Sequence, residues 1–168
     1  MTKLYPLLAI IIFVMLIIIF GYVLIFNNSS EYYQVVKIVD GDTIDVKMYD
    51  NTVRVRLIGI DTPELVDPRR PVECFALEAS NKAKEILTNQ SVRLETDITQ
   101  GDRDKYDRLL RYVFLPDGTN VNQLMIAQGY AQEYTYELPH TYQEEFQQAE
   151  KSAQDNQLGL WAEGVCNN

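Results

Sequence analysis

The chain has 168 residues and carries 24 Asp plus Glu against 15 Lys plus Arg, a net charge of −9 at pH 7. That acidity argues against a protein that coats nucleic acid through general basic character, although it leaves room for a local cationic site. Two cysteines 92 positions apart have no metal-ligand spacing.

The N-terminal stretch comes first and stands apart. From Leu4 to Phe26 no side chain is charged, a run of 23 residues dominated by Ile, Leu, Val and Phe. A bilayer-spanning helix needs about 20 such residues, whereas the apolar core of a cleavable signal is about 7–15 long. "FNNSSEYY" offers no Ala-x-Ala cleavage site, so the pattern predicts an uncleaved transmembrane anchor over residues 1–26. Lys3 before the run and Glu31 after it place the N-terminus inside. Residues 27–31 then form a polar linker, and residues 32–168 a single domain outside the cytoplasm. A cleaved segment would instead give a secreted protein.

Tyr32 to Val39, Asp42 to Tyr49 and Thr52 to Ile60 read as strands of a meander, rich in Val and Ile and joined by Asp40-Gly41 and by "YDNT". Asp-Gly suits a two-residue hairpin loop with positive φ. Glu73 to Leu87 has helical periodicity, with Phe75, Ala79, Ala83 and Ile86 on one side. Ser91 to Thr96 and Arg108 to Leu115 are two further strands. "PDGTN" opens a helix that runs to about Gln128 and is closed by Gly129, and a last helix spans about Tyr142 to Asn156. Five short strands with about three helices predict an α+β domain built on a small closed barrel of the oligonucleotide/oligosaccharide-binding (OB) type.

Three stretches carry chemistry. In "VDGDTIDV", Asp42 shares strand parity with Ile44, Val46 and Met48, so it leans toward the core, where an unpaired charge is costly, while Thr43, Asp45 and Lys47 share the polar, opposite face. In "RVRLIGIDTPE", Asp61 shares parity with Val53, Val55 and Leu57, while Thr62-Pro63 alone would read as the start of a helical turn. Asp42 and Asp61 end neighbouring strands. Two carboxylates about 4 Å apart repel by roughly 4 kcal/mol at an effective dielectric near 20, so they call for a cation. An all-oxygen set of Asp42, Asp61 and the Thr62 carbonyl suits Ca²⁺ better than zinc. In "DKYDRLLRY", Arg108 shares parity with Leu110 and Tyr112. Arg56 falls opposite Asp61 under strict alternation, and only a bend at Gly59 brings both to one site. Two arginines beside a metal would clamp a phosphate.

From about Tyr33 to Trp161, "VDGDTIDV", "RLIGIDTPE", "DKYDRLLRY", "LMIAQGYA" and "GLW" follow one another in an order and spacing that closely resembles the thermonuclease (staphylococcal nuclease-like) family. The resemblance implies an OB-type barrel that cleaves DNA and RNA with Ca²⁺ and leaves 3′-phosphate ends. It implies Asp42, Asp61 and the Thr62 carbonyl as metal ligands, and Arg56, Glu64 and Arg108 as the catalytic trio. It places the nucleotide pocket on Lys105, Tyr106, Leu110, Tyr134 and Tyr136. Asp107 departs from the pattern, since the family commonly has glycine there. The strongly basic character of the best-known member is also absent.

An exported domain with two cysteines suits a disulfide between Cys74 and Cys166, expected to support stability and leave turnover untouched. His140, the sole histidine, matches no catalytic position and reads as a surface loop residue. The expected protein is therefore a monomeric, membrane-anchored, outward-facing, calcium-dependent nuclease. The alternatives are an inactive OB module that binds nucleic acid or protein, and a Ca²⁺-stabilised adhesion domain that would leave Arg108 and Tyr106 idle.

Overall fold

A computed structural model of the protein describes residues 9–19, 31–65 and 71–166, which divide into two units at Glu31. In the first unit, residues 9–19 are helical and their apolar side chains are exposed. The remainder of the expected anchor over 1–26, and most of the linker, lie outside the described residues. Among the described residues no helix is long and apolar enough to cross a membrane.

The second unit is built on period-2 alternation. β1 (Tyr32–Ile38), β2 (Thr43–Met48) and β3 (Asn51–Leu57) form an antiparallel meander, in which Val35 pairs with Val46 and Ile44 with Val55. β5 (Ser91–Glu95) pairs with β1, and β6 (Leu109–Phe114) pairs antiparallel with β5 and parallel with β3. The order β1-β2-β3-β6-β5 closes on itself as a five-stranded barrel. Closure leaves no unpaired strand edge. Ile44, Val46, Val55, Leu57, Val92 and Val113, each almost wholly buried, belong to its core. A second, two-stranded sheet joins β4 (Ile60–Asp61) to β7 (Gln132–Glu133).

Three helices pack around the barrel. α1 (Ala76–Leu87) buries Ala76, Ala79, Ser80, Ala83 and Leu87, a stripe at three- and four-residue spacing, and lies against β1. It starts three residues later than expected, because Phe75 takes a left-handed φ of 68° and so cannot continue a helix backwards. α2 (Val121–Ala127) is capped by the Asn120 side chain, which accepts from the Gln123 N–H at 3.2 Å. Its Asn122 is wholly buried and satisfied: Oδ1 accepts from Val113 N–H at 3.0 Å and Nδ2 donates to Ile58 O at 2.8 Å. This side chain ties β6 to the chain leaving β3. α3 (Gln143–Asp155) packs on α2 and buries Phe146 and Ala153.

Cys74 and Cys166 form the expected disulfide, with Cα atoms 5.8 Å apart. For a closed loop of roughly 100 residues the chain-entropy model gives about 4.7 kcal/mol. Native strain and residual unfolded structure commonly halve such figures, so about 2 kcal/mol is expected. Calorimetry of Cys74→Ser/Cys166→Ser should show a melting temperature lower by about 5–10 °C. A shift within 1 °C of zero would mean that the bridge adds nothing to stability.

Three sequence expectations are corrected. Gly41 does not take positive φ. The chain does reverse here between β1 and β2, but a Cβ at Gly41 would lie 2.7 Å from the Thr62 side chain, so the glycine serves the close approach of two segments and not a positive φ. Thr43 and Asp45, placed by alternation on the solvent side, are buried, and Asp45 is gripped by Arg54 at 2.8 and 3.1 Å. His140 is buried with a side chain 2% exposed, not a surface residue.

Candidate active site

The strand register decides where the charged residues meet. Thr43 at the start of β2 pairs with Arg56 near the end of β3, and Arg56 pairs across the parallel ladder with Leu110 of β6. The first carboxylate loop, both arginines and the "DKYD" turn therefore collect at one end of the barrel. Gly59, with φ of 76°, makes the bend that turns the chain from β3 into β4. That bend brings Arg56 and Asp61 together, with Nη2 donating to Asp61 Oδ1 at 2.9 Å. It also breaks the alternation. Asp61 is consequently not the inward residue that parity predicts, and its side chain is 58% exposed.

Asp42 is the centre of the cluster. Its Oδ2 accepts from the N–H and the hydroxyl of Thr62, each at 3.0 Å, and its Oδ1 accepts from Thr43 Oγ1 at 3.0 Å. Arg56 Nε lies 3.1 Å from Oδ1. Thr62 is thus locked to Asp42, and among the described residues from Thr62 to Phe75 none is helical, so it caps no helix there. Arg56 Nη1 donates to the Leu57 and Ile60 carbonyls, both at 2.7 Å, so one guanidinium stands between Asp42 and Asp61. Arg108 Nε donates to Asp104 Oδ2 at 2.6 Å and its Nη1 to Thr43 Oγ1 at 3.4 Å. A continuous polar path therefore runs Arg108–Thr43–Asp42–Arg56–Asp61.

Asp40, read from the sequence only as a turn residue, belongs to this cluster. Burial first, and then the charge of Asp42, raise its carboxyl well above the usual range, against the Asp42 N–H and Arg56. Asp61 is also raised, by desolvation, with Arg56 opposing and Asp42, Glu73 and Glu64 adding like charge. Clustered acids held above their ordinary values are under-compensated, which is the condition a divalent cation relieves. The donors are all oxygen, so the site fits a hard ion such as Ca²⁺. Among the described residues no three His, Cys, Asp or Glu side chains form a ready cage. Coordination would therefore be completed by the Thr62 carbonyl and water.

Beside the cluster lies a cavity of about 740 Å³. Arg56, Asp61 and Arg108 line it, together with all five expected pocket residues, Lys105, Tyr106, Leu110, Tyr134 and Tyr136. The rings of Tyr134 and Tyr136 are 6.4 Å apart. Tyr106 has the Lys105 ammonium 5.1 Å and the Arg108 guanidinium 5.4 Å from its centroid. Exposed aromatic faces beside guanidinium groups can stack a base and hold its phosphate. Asp42 and Thr62 are buried and are not part of this lining, nor is Glu64, half-buried, three residues past Asp61.

Asp107 has φ of 64°, a conformation that glycine adopts freely, which accounts physically for glycine at this turn in the resembling family. Its carboxylate sits 3.3 Å from Arg103, and its carbonyl accepts from the same guanidinium at 2.6 Å. Asp107 thus leaves Arg108 to Asp104.

Two residues of the cavity lining, Thr99 and His140, belong to a buried network that no sequence signal marked. Asp97 Oδ2 accepts from Tyr112 OH at 2.6 Å and from Thr141 N–H at 2.7 Å, and Oδ1 accepts from the N–H and the hydroxyl of Thr99, both at 2.8 Å. Tyr112 OH also meets His140 Nδ1 at 3.0 Å, and His140 Nε2 meets Glu133 Oε1 at 3.3 Å. Burial works to raise the Asp97 pKa, but these donors outweigh it and hold the carboxyl below its ordinary value of 3.8. The stabilisation is therefore in force above that value and is lost as pH falls from it through the lower folded value. Asp97→Asn should cost roughly 1–3 kcal/mol at pH 7, since an amide cannot accept from all four donors. The difference from wild type should shrink at pH 3, and denaturant titrations at the two pH values would show it. Equal stability of the two proteins at pH 7 would contradict this account.

Residues 54–163 match the family model described as staphylococcal nuclease homologue. The chain is 39% identical over 137 residues to a protein of Staphylococcus hyicus named thermonuclease, covering 81% of this chain and 79% of the relative. It is 43% identical over 141 residues to the thermonuclease of Staphylococcus intermedius, covering 81% and 82%. With the SPbeta prophage-derived endonuclease YokF of Bacillus subtilis it shares 39% identity over 126 residues, 74% of this chain but 42% of that protein.

Proposed function

Because the chain belongs to the staphylococcal nuclease homologue family, we propose that it is a calcium-dependent endonuclease that hydrolyses phosphodiester bonds of DNA and RNA and leaves 3′-phosphate ends. The observation that carries this reading is the convergence of Arg56, Asp61 and Arg108 on one cavity with the tyrosines of the expected nucleotide pocket. A metal-free binding module needs no such pairing of acids, arginines and aromatic faces.

Asp42, Asp61 and the Thr62 carbonyl would hold the ion. Bound there, Ca²⁺ would polarise a phosphate oxygen and offset the charge of the acids. Arg56 and Arg108 would neutralise charge gathering on the phosphate oxygens during in-line attack. Glu64 would orient the attacking water and accept its proton. Because carboxylates are weak bases near neutral pH, positioning must supply much of the rate. Tyr106, Tyr134 and Tyr136 would seat the base and sugar. Local cationic groups substitute for general basicity, which reconciles a polyanionic substrate with the net charge of −9.

The test is closed circular single-stranded DNA, which has no ends for an exonuclease. The full-length protein should convert it to linear and shorter products with Ca²⁺ and leave it intact with chelator. Persistent circles in Ca²⁺ would favour the inactive module.

The exposed apolar helix over 9–19 within an uncharged run of 23 residues supports an N-terminal membrane anchor with the nuclease domain outside. Protease added to intact cells should release an active soluble domain. A shortened form free in the medium of untreated cells would indicate a cleaved segment instead.

A further inference from the structure

Glu64 is clasped by the chain that returns to it nine residues later. Its N–H donates to Glu73 Oε2 at 2.9 Å, and its carbonyl accepts from the Glu73 N–H at 3.0 Å. A single residue thus grips Glu64 from both sides of its backbone. On the N-terminal side the anchor is Thr62, buried and doubly bonded to Asp42. On the far side, Cys74 follows Glu73 directly and is bonded to Cys166. Two residues further on α1 begins, with Ala76, Ala79 and Ala83 buried. Asp61 feels the charges of both Glu73 and Glu64, so both carboxylates lie within electrostatic reach of the acid cluster.

We propose that Glu73 is a positioning residue for Glu64 and that the Cys74–Cys166 bridge holds Glu73 in place for this task. The inference rests on the reading of Glu64 as the group that orients the attacking water. Between Thr62 and Glu73 the described chain forms no helix or strand. These two hydrogen bonds tie the Glu64 backbone to Glu73. Rates are steep functions of such placement, and an error of about 1 Å can cost on the order of 10²-fold. The disulfide fixes the residue next to the clasp, so its loss loosens the clasp without touching a reacting atom. This revises the expectation that breaking the bridge leaves turnover untouched.

The experiment is steady-state kinetics of the full-length protein on a synthetic single-stranded oligonucleotide with Ca²⁺, at a temperature where circular dichroism finds every variant folded. Glu73→Ala should lower kcat about tenfold and leave KM within about twofold. Glu73→Gln should recover most of that loss, because its amide oxygen can still accept from the Glu64 N–H. Cys74→Ser/Cys166→Ser should lower kcat several-fold. Glu64→Ala/Glu73→Ala should be no slower than Glu64→Ala, because Glu73 acts through Glu64. Wild-type kcat in Glu73→Ala, or an equal loss from Glu73→Ala with and without Glu64, would overturn the positioning role. Wild-type kcat in the cysteine variant would overturn the part assigned to the bridge. Should Glu64→Ala itself turn over at the wild-type rate, the reading of Glu64 falls and the inference falls with it. A slow Glu64→Ala beside a fast Glu73→Ala defeats the inference alone.

Discussion

Arg108→Ala and Glu64→Ala are each expected to lower kcat by about 10²–10³ with the fold intact, the scale commonly seen when one transition-state partner is removed. Arg108 is the cleaner test of the two arginines. It lies just before β6, at the cavity edge, with a quarter of its side chain exposed, and it spends its donors on Asp104 and Thr43. Removing it leaves Asp104 partly hydrated and still accepting from the Tyr106 and Arg108 N–H groups. Arg56 is different, because its loss would strip Asp42 of the guanidinium between the two acids and disturb folding as well as chemistry. Single-turnover rates at saturating oligonucleotide separate the chemical step from binding. A rate within threefold of wild type for either variant would remove that residue from the reaction.

Withdrawal of Ca²⁺ is expected to have the second large effect: with chelator, cleavage should fall to background, and Mg²⁺ should not restore it to a comparable rate. Mg²⁺ demands near-ideal octahedral geometry and gives up water reluctantly, whereas Ca²⁺ accepts irregular oxygen sets. The site supplies such a set, with Asp42 buried, Asp61 half in solvent and the Thr62 carbonyl directly after Asp61. A ligand at 100 times its Kd stabilises the folded state by about 2.7 kcal/mol, so Ca²⁺ should raise the melting temperature of the chelated protein. Asp61→Ala should abolish that rise. Undiminished cleavage in chelator, or a melting temperature indifferent to Ca²⁺, would refute the metal assignment.

Much of the site was legible because its signals are local. Three short motifs hold Asp42, Asp61, Arg56 and Arg108, and strand parity already turned Asp42 and Arg108 inward. Parity failed at Asp61 for one reason, the bend at Gly59, where φ of 76° resets the alternation. It failed at Asp45 and Thr43 because Arg54 grips the one and Arg108 reaches the other on the face of β2 that alternation assigns to solvent. Asp97, Asn122 and His140 carried no signal at all. A polar residue in a loop or a short helix looks alike whether it faces water or caps a buried backbone, and only its distant partners tell the two apart.

The sequence by itself determined the five barrel strands, the α+β class, the barrel type and the family, because periodicity, turn chemistry and motif order are properties of neighbouring residues; it left the Cys74–Cys166 bridge and the β4–β7 pair to the fold. The tertiary structure alone decided how the charges are shared. It set one guanidinium between two aspartates, drew Asp40 into the acid cluster, gave Asp107 to Arg103, and closed Glu73 over Glu64. The physical reason is range. Coulomb and hydrogen-bond partners are chosen by distances of about 3 Å across the barrel, and those distances exist only after the ladder between β3 and β6 has closed it.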